Sequence, residues 1–150
     1  MDTIRSLLDM LDIANYLPDL TMFSVGAKLV LWLLMLVGPV LMLLLGLMYY
    51  TKPPAEANFS WGFRTYFGMG SKAAWDYAQR LAGMIWSALG AFMGAAMLIM
   101  CVIFIGKNPA QIAFMALVCM IVQASLTVLS WAAVTIMVTV NYDKQGQLRK

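Results

Sequence analysis

An all-α integral membrane fold with three transmembrane helices is what this sequence predicts, on three observations. Of its 150 residues 63% are hydrophobic and 11% charged, against about 25% charged in an ordinary soluble domain. Three runs free of charge, 29–50, 81–106 and 109–142, are each long enough, at about 1.5 Å per residue, to cross a hydrocarbon core of about 30 Å. All ten Lys and Arg residues lie outside these runs. The predicted organisation is an amphipathic segment at 1–27 followed by a membrane domain at 28–150. Its spans are expected near 29–50, 82–105 and 110–140, with a loop at 51–81 and a short tail at 141–150.

The first element differs from the rest. Ile4, Leu7, Leu8, Leu11 and Ala14 recur at helical spacing, with Asp2, Arg5, Asp9 and Asp12 on the other side. This pattern predicts a helix lying in the membrane interface. Its acidic polar face does not suit anionic lipid, so it is either a prelude to the first span or a docking helix for a partner subunit. The first span carries Gly38-Pro39 near its middle, where a kink is expected. Ala55-Glu56-Ala57 has the look of a signal-peptide cleavage site, but the apolar run before it exceeds the usual ~7–15 residues, and cleavage is not expected.

The second span bears a stripe of small residues, Gly83, Ser87, Gly90 and Gly94. Small residues let helices approach closely inside a bilayer, here for packing within the chain or between two copies. The third span carries Gln123, Ser125, Thr127, Ser130, Thr135 and Thr139. Gln123 is the one carboxamide near mid-membrane and must find a partner, either as interhelical glue or as a ligand-binding amide. Gly106 and Pro109 supply the turn between the last two spans. Counting Lys and Arg by side gives three (Arg5, Lys28, Lys107) against seven. By the positive-inside rule the 51–81 loop and the tail are cytoplasmic and the N-terminus is outside.

The chain has no His, which removes the commonest general base and metal ligand together. Glu56 and Asp76 are the only acids between the first two spans, with no base beside them. No enzymatic activity and no cofactor are expected. Cys101 and Cys119 lie in apolar runs without CxxC spacing and read as small buried hydrophobes. The net charge of +3 reflects cytoplasmic Lys and Arg rather than nucleic-acid binding.

The informative stretch is 52–83, KPPAEANFSWGFRTYFGMGSKAAWDYAQRLAG. Its first half mixes Phe59, Trp61, Phe63, Tyr66 and Phe67 with Gly62, Gly68 and Gly70, and predicts a Gly-bent aromatic hairpin on the membrane surface. The aromatics serve as interfacial anchors or as a recognition pocket. Ser71 is placed to cap a helix running unbroken into the second span. On it Asp76 precedes Arg80 by four residues, the spacing of an ion pair, and Trp75, Ala78 and Ala82 share a face.

Asn58-x3-Gly62-x-Arg64-Thr65, followed by Ser71, Trp75, Ala78, Arg80 and Gly83, resembles the signature of the SdpI family of bacterial membrane proteins. The tail Tyr142-Asp143-x-x-Gly146 resembles that family's short C-terminal element, and the likeness covers about residues 30–150. Gln79 stands where members frequently have His, and Tyr66 and Gly68 replace the family's usual residues after Arg-Thr. The resemblance implies a bacterial plasma-membrane immunity or signalling protein that binds or counters a membrane-active toxin peptide. It makes Asn58, Gly62, Arg64, Thr65, Ser71, Trp75, Asp76 and Arg80 the candidate binding residues. Arg64 could clamp a carboxylate or phosphate bidentately, or brace the loop against Glu56, Asp76 or backbone carbonyls. The alternative function is that of an accessory subunit in a larger membrane complex, its partner another membrane protein or a second copy.

Overall fold

The computed structural model describes residues 20–57 and 60–149, with side chains from residue 25 onward. The amphipathic helix expected over 2–19 and the motif residue Asn58 lie outside the described residues. Three helices follow in order: α1 (Leu20–Thr51), α2 (Lys72–Ile103) and α3 (Pro109–Asn141). All three are long and apolar enough to cross a membrane. At 32, 32 and 33 residues each is nearly 50 Å long by an estimate of about 1.5 Å per residue, so each tilts or projects beyond a core of about 30 Å. α1 starts well before the expected position 29, because Lys28 is a good helix former and does not interrupt it.

The helix ends follow from local chemistry. Ser71, in extended backbone, accepts from the Ala74 N–H at 3.2 Å and starts α2 as expected. Asn108 accepts from the Gln111 N–H at 2.9 Å, and Pro109 occupies the first turn of α3, where its missing N–H costs nothing. α1 stops before Pro53-Pro54.

α1 and α2 form the most extensive pair, with α3 against both. Glycines set the closeness of that pair. A methyl group on Gly83 would come within 2.6 Å of the Tyr50 backbone nitrogen, and one on Gly90 within 2.5 Å of that of Leu43. From the other side, Gly46 abuts the Ser87 backbone. The stripe of α2 is therefore occupied within the chain at Gly83, Ser87 and Gly90, while Gly94 keeps a looser contact with Pro39.

Buried apolar residues gather at two levels. Near the 52–71 loop, Tyr49, Phe63, Ala78, Ala82, Val134 and Val138 form one cluster; toward the α2–α3 turn, Met35, Met97, Ala116 and Cys119 form the other. Large apolar side chains such as Leu33, Phe92, Phe114 and Leu129 point outward, as expected where lipid is the solvent.

Between the levels, α1 continues through Pro39. Proline has no N–H, so the Met35 carbonyl four residues back lacks a donor in its own helix. Gln123 of α3 replaces it: Nε2 donates to the Met35 carbonyl at 3.0 Å. Gly38 leaves the room, since a methyl there would stand 2.8 Å from Gln123 Oε1. One turn on, Thr127 donates to the Gln123 carbonyl at 2.9 Å. The partner Gln123 requires is thus the backbone of α1. The hydroxyls of Ser125, Ser130, Thr135 and Thr139 bond back to carbonyls of α3 itself.

Candidate binding site at the loop end of the bundle

The 52–71 loop lacks regular structure yet is held at four places. Trp75 is fully buried, and its indole N–H donates to the Pro54 carbonyl at 2.8 Å. Gln79, also fully buried, makes two bonds to one residue: Oε1 accepts from the Phe63 N–H and Nε2 donates to the Phe63 carbonyl, each at 2.8 Å. Buried Thr65 accepts from the Gly68 N–H at 3.0 Å through Oγ1, and its carbonyl accepts from the Met69 N–H at 3.1 Å. Ser71 donates from Oγ to the Gly146 carbonyl at 2.6 Å while capping α2.

Gly62 is required by both its torsion and its surroundings. Its φ of +115° is one that L side chains rarely adopt, and a methyl there would stand 2.8 Å from the Trp75 ring. This bend turns Phe63 inward, where it meets Trp86 edge-on with ring centres 5.5 Å apart. Tyr49 completes the nest, with ring centres 5.8 Å from Trp86 and 6.3 Å from Trp61. Among the loop aromatics, Phe63 is buried rather than lying on the surface. Phe63 folds into the core because the Gln79 clamp fixes its backbone over the end of the bundle; Trp61 and Tyr66 remain exposed.

The tail completes the platform. After α3 the chain reverses through Asp143–Gln147: Asp143 Oδ1 accepts from the N–H groups of Gln145 (3.0 Å) and Gln147 (2.7 Å), and Gly146 takes a φ of +71°. Tyr142 and Leu148 bridge antiparallel. Gly146 packs on the backbone of Gly70 and Ser71 so closely that a side chain on Gly70 or Gly146 would collide with the other segment. Arg149 lies over the Phe67 ring at 5.8 Å, and Asn141 donates to the Tyr77 hydroxyl at 3.3 Å.

The motif residues therefore divide by role. Gly62, Thr65, Ser71 and Trp75 build the frame, and Gly83 seats α2 on α1. Arg64 is exposed between buried Phe63 and Thr65. Among the described residues no hydrogen bond or ion pair holds its guanidinium, although its charge acts on the nearby Tyr49 hydroxyl. Asp76 is half-buried and Arg80 exposed, and no ion pair joins them among the described residues. A helix-surface pair at this spacing gains only about 0.3–0.5 kcal/mol, so its absence costs little. Lys52, Lys72, Arg80, Lys144 and Arg149 are exposed at the same end, which makes the rim basic.

Sequence reasoning missed two residues of this site. Gln79 stood out only as a departure from the family pattern; a Gln four residues after a buried Trp, on the same helix face, was the available signal. Tyr49 was read as the end of a span, with nothing local to mark it as the floor of the aromatic nest. No family model, curated protein or solved structure matches the chain.

Proposed function

We propose that this chain is an SdpI-like membrane immunity protein, whose loop-end platform engages an anionic group of a membrane-active toxin peptide. The observation that carries the proposal is Arg64: a solvent-facing guanidinium without an ion pair among the described residues, flanked by two buried, hydrogen-bonded neighbours. A preorganised backbone lowers the entropic cost of binding, and a planar fork suits a carboxylate or phosphate. The basic rim attracts such a group from a distance. Four of the residues that carry the family resemblance, Gly62, Thr65, Ser71 and Trp75, supply the frame that displays Arg64. In the membrane we place this end in the cytoplasm, following the seven-to-three excess of Lys and Arg.

The test is protection of membrane potential. A sensitive bacterium expressing the chain is challenged with a secreted toxin peptide of this class while a potential-sensitive dye is followed. Protection should be lost in Arg64→Lys, which keeps the charge and loses the fork, at unchanged membrane abundance. Depolarisation at the control rate with the unaltered chain present in the membrane would rule out immunity to that peptide.

A further inference from the structure

Gln123 uses only half of its carboxamide to hold α1. Nε2 donates to the Met35 carbonyl, but among the described residues nothing donates to Oε1, although the side chain is only 7% exposed. The amide lines a hollow of about 320 Å³ between α1 and α3, beside Gly38, Met93, Met120 and Thr127. Gly38 keeps the oxygen accessible, since a methyl there would stand 2.8 Å from it. Gly38 and Thr127 also line a second hollow, of about 250 Å³, so the two adjoin as one crevice along the α1–α3 seam. Trp86 lines that second hollow, and its buried indole N–H has no acceptor. We propose that the crevice binds an uncharged lipid alcohol, whose hydroxyl donates to Gln123 Oε1 and whose second oxygen accepts from Trp86 Nε1.

The open groups define the ligand. A buried polar atom without a partner is costly, and at membrane depth no water shell compensates it. One unused acceptor and one unused donor in a single crevice call for a molecule that carries both. Charge is excluded: no Asp, Glu, Lys or Arg lines either hollow, and an ion there would lie unpaired in hydrocarbon. The rest of the ligand is apolar. Leu34, Val37, Leu41 and Met120 line the crevice and are themselves exposed, so it opens sideways and acyl chains trail into the bilayer. A few convergent polar groups in an apolar hollow are the usual make-up of a small-molecule site. A helix of a second copy fits less well. A space of 320 Å³ is about 7 Å across if equal in all directions, against about 10–12 Å for a helix with its side chains.

The experiment uses the full chain in phosphatidylcholine vesicles. The probe is a 1,2-diacylglycerol with a diazirine in one acyl chain close to the glycerol, and adducts are mapped by tandem mass spectrometry after illumination. Labelling should fall on 34–45 of α1 and 120–127 of α3. Unlabelled diacylglycerol should compete about three- to tenfold better than its methyl ether, which keeps every acceptor and loses the donor. Ala124→Leu adds bulk to the hollow without removing the Gln123–Met35 bond, and should cut labelling at least about fivefold. Ala91→Leu, in the hollow on the α1–α2 side, should leave it within about twofold. Helical content and elution as a single species certify each variant; if Ala124→Leu fails them, the ether comparison on the unaltered chain decides. Equal competition by the ether, adducts spread evenly over the lipid-facing surface, or full labelling of folded Ala124→Leu would each overturn the proposal. So would a dimer cross-linked through this seam in place of lipid adducts, which would assign the missing donor to a second copy.

Discussion

Replacing Gln123 by Leu removes the donor that α3 lends to the Met35 carbonyl, and Pro39 determines what that costs. Polar side-chain bonds between helices in a bilayer contribute about 0.6 kcal/mol on average and at most about 1.7. A buried acceptor left without any donor costs about 1–3 kcal/mol. The second figure governs here, because Pro39 has already taken the only donor α1 could offer. Gln123→Leu should therefore destabilise the fold by about 1.5–3 kcal/mol. In a Pro39→Ala background the helix regains its own N–H at position 39, and the same substitution should cost less than about 1 kcal/mol. The four proteins of this double-mutant cycle can be compared by reversible unfolding in mixed micelles of rising sodium dodecyl sulfate content, followed by tryptophan fluorescence. A coupling of about 1 kcal/mol or more is expected. An equal cost of Gln123→Leu in both backgrounds would refute the reasoning. Gly38→Ala reaches the same bond by another route: its methyl, 2.8 Å from Oε1, displaces the amide, so its cost should not add to that of Gln123→Leu.

The Phe63 clamp gives a second expectation: Gln79→Ala strands a buried donor and a buried acceptor, costing about 2–5 kcal/mol, and should open the 52–71 loop to protease before the helices unfold. Gly146→Ala meets both a φ of +71° and the Ser71 backbone; it should lose about 1–2 kcal/mol and expose the tail to proteolysis while the spans stay intact. For topology, single cysteines at Ser60 and Gln145, in a background lacking Cys101 and Cys119, should resist impermeant thiol reagents in intact cells, whereas one at Asn108 should label. Labelling at position 60 from outside reverses the orientation.

The three spans were legible because lipid imposes a one-dimensional requirement, an uncharged run of sufficient length, that a sequence displays directly. Ser71 was legible for a similar reason, since capping depends on residues within one turn; the Asn108 cap was not read, although Gly106 and Pro109 marked a turn there. The stripe Gly83–Gly90 announced close packing, although only the structure identifies α1 as what packs there. The purpose of Gln123 needed the register of α3 against α1, set by contacts 88 residues apart; Pro39 gave half of the signal, an orphaned carbonyl without an address. The inward turn of Phe63 was not legible in the loop's composition, because it depends on one positive-φ glycine and one distant carboxamide. The Asp76–Arg80 spacing suggested a pair that the exposed helix face does not form.

The contact between Gly146 and the Gly70–Ser71 step bears on how the protein is assembled. During synthesis the loop leaves the ribosome long before residues 142–149, with two complete spans between them. The loop's last corner, and the Ser71 hydroxyl that reaches the Gly146 carbonyl, can close only after α3 has been inserted and has returned the chain to the loop's side. A nascent chain whose third helix stalls, or inserts in the wrong direction, keeps that corner open. Completion of the platform therefore requires that α3 has crossed and brought the tail back beside the loop.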